Sequence, residues 1–238
     1  MQVCHVETLR PNWEADIKEQ GYNRNRKLQV NFNMEKSAFD LAHQNSSIES
    51  KIVASLERVS QAFRVLLWNE SKEFSLSPIQ VQVLIFLLHH ADQKRKVSYL
   101  ADEFNMTKAT ISDTIKTLEQ KQLIKKEYEQ HDTRSYIINL TKKGKTIAEQ
   151  TSLFAKQIQV PIDKLHSSDK ENLLLSLLDI IHHLNKAGII TIQRMCFTCH
   201  FYKASKNGQE HFCGLLNTKL ADTELRIDCA EHKLKQTV

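Results

Sequence analysis

Val97-Ser-Tyr-Leu-Ala-Asp-Glu-Phe-Asn-Met-Thr-Lys-Ala-Thr-Ile-Ser-Asp-Thr-Ile-Lys-Thr-Leu-Glu-Gln-Lys-Gln-Leu-Ile124 is the stretch that decides the fold of this 238-residue chain. It reads as a short helix over residues 97–105, a polar break, and a second helix that begins after Met106 with Thr107 as its N-cap. The second helix spaces Ile111, Ile115 and Leu118 by four and three, while Lys108, Ser112, Asp113 and Lys116 remain polar. Working outward, Ser77-Pro78 opens an earlier helix through Val81, Leu84, Ile85 and Leu88, since serine caps and proline suits a first turn. The three helices predict a tri-helical core. Further upstream, Ile52, Val53, Leu56, Val59, Phe63, Leu66 and Leu67 follow a 3.6-residue period and predict a helix over residues 50–69 with one buried stripe.

Downstream of Leu123 the pattern changes. Residues 124–128 and 136–140 are short β-branched or aromatic segments flanking Glu129-Gln-His-Asp-Thr-Arg-Ser135, which predicts a hairpin with a charged tip. Helices are expected over residues 142–159 and 169–186. The second is so dense in leucine and isoleucine, from Leu173 to Leu184, that it is apolar on too many sides to stand alone, and Gly188 marks its end. Five glycines and three prolines agree with a mainly α chain carrying a small β wing, a winged helix-turn-helix. Residues 1–45 form an N-terminal extension, 46–187 the winged-helix and dimerisation domain, and 188–238 a cysteine-rich module.

A hydrophobic content of 41% suffices for a packed core. No stretch approaches the ~20 apolar residues of a membrane helix and the N-terminus lacks a signal pattern, so a cytoplasmic protein is expected. The net charge is +5. Residues 94–145 hold twelve Lys and Arg against seven Asp and Glu, a surplus equal to that of the whole chain, which concentrates positive potential on the helix-turn-helix and hairpin.

The quoted stretch, followed by Asp132-Thr-Arg134-Ser and then Ile138-Asn-Leu-Thr-Lys-Lys-Gly144, resembles the MarR family of bacterial transcription regulators. The resemblance covers about residues 48–186. It implies a homodimer with interlocking N- and C-terminal helices, sequence-specific binding to a pseudo-palindromic stretch of double-stranded DNA, action as a repressor, and a possible small-molecule effector. It also implies that Arg134 enters the minor groove while Asp132 sets its direction. Side-chain geometry adds that Ala109, Ser112, Asp113 and Lys116 lie opposite or beside the buried stripe, where they face base edges. Thr107 and Lys108 stand at the helix N-terminus, where amides, dipole and ammonium meet a phosphate. Asp113 repels phosphate unless it accepts from a cytosine amino group or pairs with Lys116. Two positions depart from the family: Gln122 stands where a glycine usually ends the reading helix, and Lys125-Lys126 replace the usual arginine.

Four of the five cysteines fall late, at Cys196, Cys199, Cys213 and Cys229. Cys196-x-x-Cys199 is a spacing with which two thiolates grip one cation in a tight turn, and Cys213 with Cys229 completes four tetrahedral ligands, for which zinc is the first choice. His232, His200 and His211 lie close enough in sequence to substitute for one sulfur. The same thiolates could instead carry an iron–sulfur cluster, or form a metal-free thiol switch. An enzyme is the remaining class and has little support: Asp228 and Glu231 are the only carboxylates beside the cysteines, and no phosphate loop or nucleophile elbow is present. The pairs His89-His90 and His182-His183 point in different directions on their helices. Cys4, Trp13 and the basic run Arg24-Asn-Arg-Lys27 follow no period, which suggests an N-terminal arm or a disordered extension.

Overall fold

The computed structural model describes residues 36–129, 132–205 and 210–235, with the backbone alone at 129 and 132–134. Cys4, Trp13 and the basic run lie outside the described residues. The chain divides into two units, residues 1–56 and 57–238. In the first, Asp40 caps α1 (Leu41–Ser46) by accepting the His43 N–H at 2.8 Å. The Ser47 hydroxyl accepts the Ser50 N–H at 3.1 Å, opening α2 (Ile48–Glu73).

The second unit is built around α3 (Pro78–His89). Ser77 and Gln80 form a reciprocal capping box with Pro78 in the first turn, as the sequence predicts. α3 is the central helix of this unit, with Val81, Val83, Leu84, Phe86 and Leu87 all buried. Across it lie α4 (Val97–Glu103) and α5 (Lys108–Gln120). Thr107 caps α5 by accepting the Thr110 N–H at 3.1 Å. Ile111, Ile115 and Leu118 are fully buried together with Leu84, Leu100 and Ile138. Each such side chain contributes roughly 1.5–3 kcal/mol by leaving water.

α5 ends in a Schellman motif: the Leu123 N–H reaches Leu118 O at 3.0 Å and the Gln122 N–H reaches Glu119 O at 2.8 Å. Gln122 therefore sits at φ 60°, a left-handed conformation that glycine adopts without cost. α8 (Ser167–Lys186) ends in the same motif, there with Gly188 at φ 72°.

The wing pairs β1 (Ile124–Glu129) with β2 (Asp132–Leu140) antiparallel, from Ile124↔Leu140 to Tyr128↔Tyr136, with a bulge at Tyr128/Glu129. Its strands therefore run further toward the tip than their β-branched segments suggest. The Ile138 N–H also donates to Arg95 O at 2.9 Å, fastening the wing to the segment before α4.

Two expectations require correction. Residues 142–159 form two helices, α6 (Lys142–Thr151) and α7 (Lys156–Asp163). At the break Thr151 and Ser152 turn their hydroxyls onto the carbonyls of Ile147 and Glu149, at 2.8 and 2.7 Å, in competition with the backbone ladder. The stripe on α2 is not covered among the described residues: Ile52, Val53, Leu56, Val59 and Phe63 are exposed, and the stripe is buried only from Leu67. Periodicity identifies an apolar face and says nothing of what covers it. On α8 only Leu178 is buried, and the element packed there is the cysteine module.

That module forms a second core, in which Leu178, Met195 and Leu225 are buried and Leu174, Leu175, Ile181, Phe197, Tyr202 and Leu220 pack around them. It contains a three-stranded antiparallel sheet in the order β3 (Tyr202–Ala204), β4 (His211–Cys213), β5 (Thr218–Leu220). Strands of three residues carry too few alternations to be read from sequence.

Candidate functional site

On α5 the buried stripe turns the opposite side outward. Thr107, Lys108, Ala109, Ser112, Asp113 and Lys116 are all exposed. The helix thus presents small and polar side chains flanked by two ammonium groups, the relief and charge of an element that enters a major groove. Thr114 is buried on the inner side, where its hydroxyl donates to Thr110 O at 2.9 Å.

Two neighbouring lysines serve the scaffold. Lys126 donates to Glu119 at 2.7 Å and lies over the Tyr136 ring at 5.2 Å, tying the wing to α5; the Glu119 hydrogen bond raises its pKa. Lys121 donates to the carbonyl of Ser75. Lys125, by contrast, is exposed. Lys96 reaches along the wing and donates to Ser135, near its tip, at 3.3 Å. The side chains of Asp132 and Arg134 lie outside the described residues.

The four C-terminal cysteines line one cavity of about 40 Å³. Cys196 and Cys199 flank a single tight turn, closed by the Cys199 N–H on Cys196 O at 2.9 Å; Cys213 ends β4; Cys229 begins the turn closed by the His232 N–H at 3.2 Å. The Arg226 backbone N–H donates to Cys196 Sγ at 3.2 Å, and its guanidinium to Cys229 Sγ at 3.4 Å. Burial pushes the Cys196 thiol up, an effect the Arg226 N–H opposes. All four are free cysteines, and among the described residues no group of three or more His, Cys, Asp or Glu is already arranged to hold a metal ion.

The candidate histidines are engaged elsewhere. His232 pairs with the Thr198 hydroxyl at 3.0 Å. His211 pairs with Tyr202 at 2.6 Å, and its other nitrogen lies 3.2 Å from Asp222 without hydrogen-bond geometry. His200 stands edge-on to Phe201. None of the three lines the cavity, whereas Glu231 does.

Sequence reasoning missed an ionic cluster around the buried Arg194. Arg194 bridges two carboxylates, donating to Glu103 at 2.6 and 3.0 Å and to Asp228 at 2.7 Å from two nitrogens; it also donates to the Tyr99 hydroxyl at 2.9 Å. His90 stacks on Phe86 at 3.8 Å and lies 3.2 Å from Asp228. Burial would raise the Asp228 pKa, but the hydrogen bonds from Arg194 and His90 prevail and hold it well below the usual carboxylate range. Burial likewise opposes the charge on Arg194, yet Asp228 and Glu103 hold its pKa above the ordinary value. Asp228 is thereby committed to an ion pair and His90 to the same cluster. The one sequence signal was the acidic pair at Asp102-Glu103, on a helix whose partner lies 91 residues away.

Three helices around a buried stripe, an exposed helix face and a two-stranded wing define a winged helix-turn-helix. Residues 74–135, which contain its α3, α4 and α5 and most of the wing, match the MarR family, whose members are transcription regulators rather than enzymes. No curated protein matches the chain. Among solved structures, the S. aureus MepR–DNA complex is similar at 23% identity over 56% of this chain and 97% of that one, with a TM-score of 0.49. A MarR transcriptional regulator from Methanosarcina mazei Go1 gives 19% identity over 58% and 96%, with a TM-score of 0.47. The transcriptional regulator Tm0710 from Thermotoga maritima gives 17% identity over 58% and 96%, with a TM-score of 0.41. Among the described residues no helix is long and apolar enough to cross a membrane.

Proposed function

We propose that this chain is a DNA-binding transcription regulator of the MarR type, acting as a homodimeric repressor with zinc in its C-terminal module. The observation that carries the reading is the outer face of α5, where Lys108, Ala109, Ser112, Asp113 and Lys116 are exposed over a fully buried Ile111, Ile115 and Leu118. The match of residues 74–135 to the family supports it. Lys108 and Thr107 meet a phosphate at the helix N-terminus, Ala109, Ser112, Asp113 and Lys116 face base edges, and Arg134, oriented by Asp132, enters the minor groove. The exposed apolar residues of α2 and α8 would be covered by a second copy, giving two reading helices on a symmetric axis and a pseudo-palindromic operator. A cleft of about 390 Å³ between Phe63 and Ile158 is the place for a small effector.

Zinc fits the donor set. Four sulfurs from separate turns and a strand end converge on one cavity, and two N–H donors already address them, the outer-shell arrangement that stabilises metal-bound thiolate. Cys196, Cys199, Cys213 and Cys229 would hold the ion after the thiols turn inward. A closed four-sulfur site supplies folding energy and no open position for water.

The test selects a duplex from a random DNA pool with the purified protein and measures its affinity across salt, alongside elemental analysis. A steep salt slope that falls by about one for Lys108→Ala supports the reading. Salt-insensitive binding, or none, refutes it. About one zinc per chain, lost in Cys196→Ser/Cys199→Ser, supports the metal; iron with sulfide, or no metal at all, refutes zinc.

A further inference from the structure

Two ligand-bearing segments of the cysteine module are stitched together at Arg194. The Cys229 N–H donates to Arg194 O at 3.1 Å, and the Cys196 N–H donates to Arg226 O at 3.0 Å. Arg194 lies two residues before one cysteine, and its partner Asp228 immediately precedes another. The guanidinium then leaves the module and grips Glu103 at the C-terminal end of α4, with a side-chain exposure of only 9%. A second tie runs beside it, from the Thr191 hydroxyl to Asp102 O at 2.6 Å. The placement favours a cation, since a helix C-terminus carries partial negative charge. α4 connects directly to the reading helix: the Met106 N–H on Ala101 O, at 2.8 Å, fixes the turn that leads to Thr107.

We propose that metal on the four cysteines is coupled to DNA binding through Arg194. The proposal rests on the zinc reading above and adds its regulatory consequence. Without metal the apolar core under the module is, among the described residues, chiefly Leu178 of α8 with Met195 and Leu225, too small to fix two separate turns. With metal, Cys196 and Cys229 are pinned to one ion, Arg194 and Asp228 are held in register, and the guanidinium stays on Glu103. α4 and the N-terminus of α5 are then fixed for the major groove. Loss of metal releases Arg194, leaves the partly buried Glu103 without its cation, and lets the end of α4 move toward water. Metal and DNA thereby favour the same conformation, and each tightens the binding of the other by one shared factor.

The experiment measures the affinity of full-length protein for the selected duplex, zinc-loaded and chelator-stripped, in wild type and in Arg194→Met. Stripping wild type weakens binding by about 5- to 150-fold, the usual range of coupling between sites. In Arg194→Met the zinc content is unchanged and the ratio falls to near one. Should that variant fail to fold, Arg194→Met/Glu103→Leu removes the buried guanidinium together with its partly buried partner and yields the same comparison. Equal or tighter binding by stripped wild type overturns the coupling, and so does an undiminished ratio in the variants. Wild type that carries no zinc removes the metal reading itself, which elemental analysis registers before any DNA is added.

Discussion

Replacing Gly144 by alanine would drive a methyl group into the chain where the wing returns to the helical core. A Cβ there overlaps the carbonyl oxygen of Leu123 and stands 2.8 Å from its carbon and 3.2 Å from its Cα. Ordinary carbon–oxygen contact begins near 3.3 Å, so the first turn of α6 must retreat by more than ~1 Å. Neither side is free to yield. The Leu123 carbonyl accepts the Thr141 N–H at 3.0 Å, and the Thr141 hydroxyl accepts the Gly144 N–H at 3.0 Å while donating to Gln122 O at 2.8 Å. Overpacking costs ~1–3 kcal/mol and a broken hydrogen bond about 1 more, offset by about 1 from the better helix propensity of alanine. The net loss is therefore ~1–3 kcal/mol, which lowers Tm by roughly 2–12 °C for a chain of this length. Thermal and urea unfolding followed by circular dichroism read it directly. Gly214→Ala is the internal comparison, because its Cβ meets only Phe201 O at 3.2 Å. A Gly144→Ala melting point within ~2 °C of wild type, or a larger fall for Gly214→Ala, would refute the reasoning.

Three further outcomes are expected. Gln122→Gly relieves the left-handed strain at φ 60° and raises stability by ~0.5–1 kcal/mol; an unchanged or lower urea midpoint counts against it. Burial, aided by Lys186 and Lys235, lowers the His182 pKa to about 4, and its Nδ1 has no hydrogen-bond partner. The unfolded chain takes up that proton below about pH 6.5, so the neutral ring contributes stability above that pH which is lost as pH falls toward 4. After allowance for solvent screening the loss is ~1–3 kcal/mol, and His182→Leu should abolish it, as urea titrations at pH 7 and pH 4.5 would show. Ile115→Ala removes a fully buried side chain beneath the reading face and should cost ~2–5 kcal/mol; a loss of DNA affinity at full stability would contradict that role.

The winged-helix lobe was legible because its signals are local. The Thr107 cap, the Ser77 box and the four-and-three spacing of Ile111, Ile115 and Leu118 all act within a few residues, and each reappears in the structure. Gln122 stood out by resemblance instead, as the residue in place of a family glycine, and the structure shows the left-handed turn that glycine would serve. The rest depended on partners distant in sequence. Whether an apolar stripe is covered, as on α2 and α8, is decided by tertiary neighbours. The break between α6 and α7 arose from hydroxyls in a segment that otherwise looks helical. The four cysteines were flagged by their crowding, and the structure brings all four to one cavity, but the preceding Arg194 carried no pattern at all. Its partners lie on α4 and on a turn 34 residues downstream.

The order of the elements along the chain sets a timetable for synthesis. A ribosome delivers α3, α4, α5 and the wing well before residue 194, and domains fold from the N-terminus as they emerge. During that interval Glu103 faces water and needs no cation. The α3–α5 core and the wing can therefore form before Arg194 arrives, and the grip on Glu103 at the end of α4 is added last. A chain stopped after α8 would keep the α3–α5 core and the wing but leave the apolar face of α8 around Leu178 without the module that packs on it.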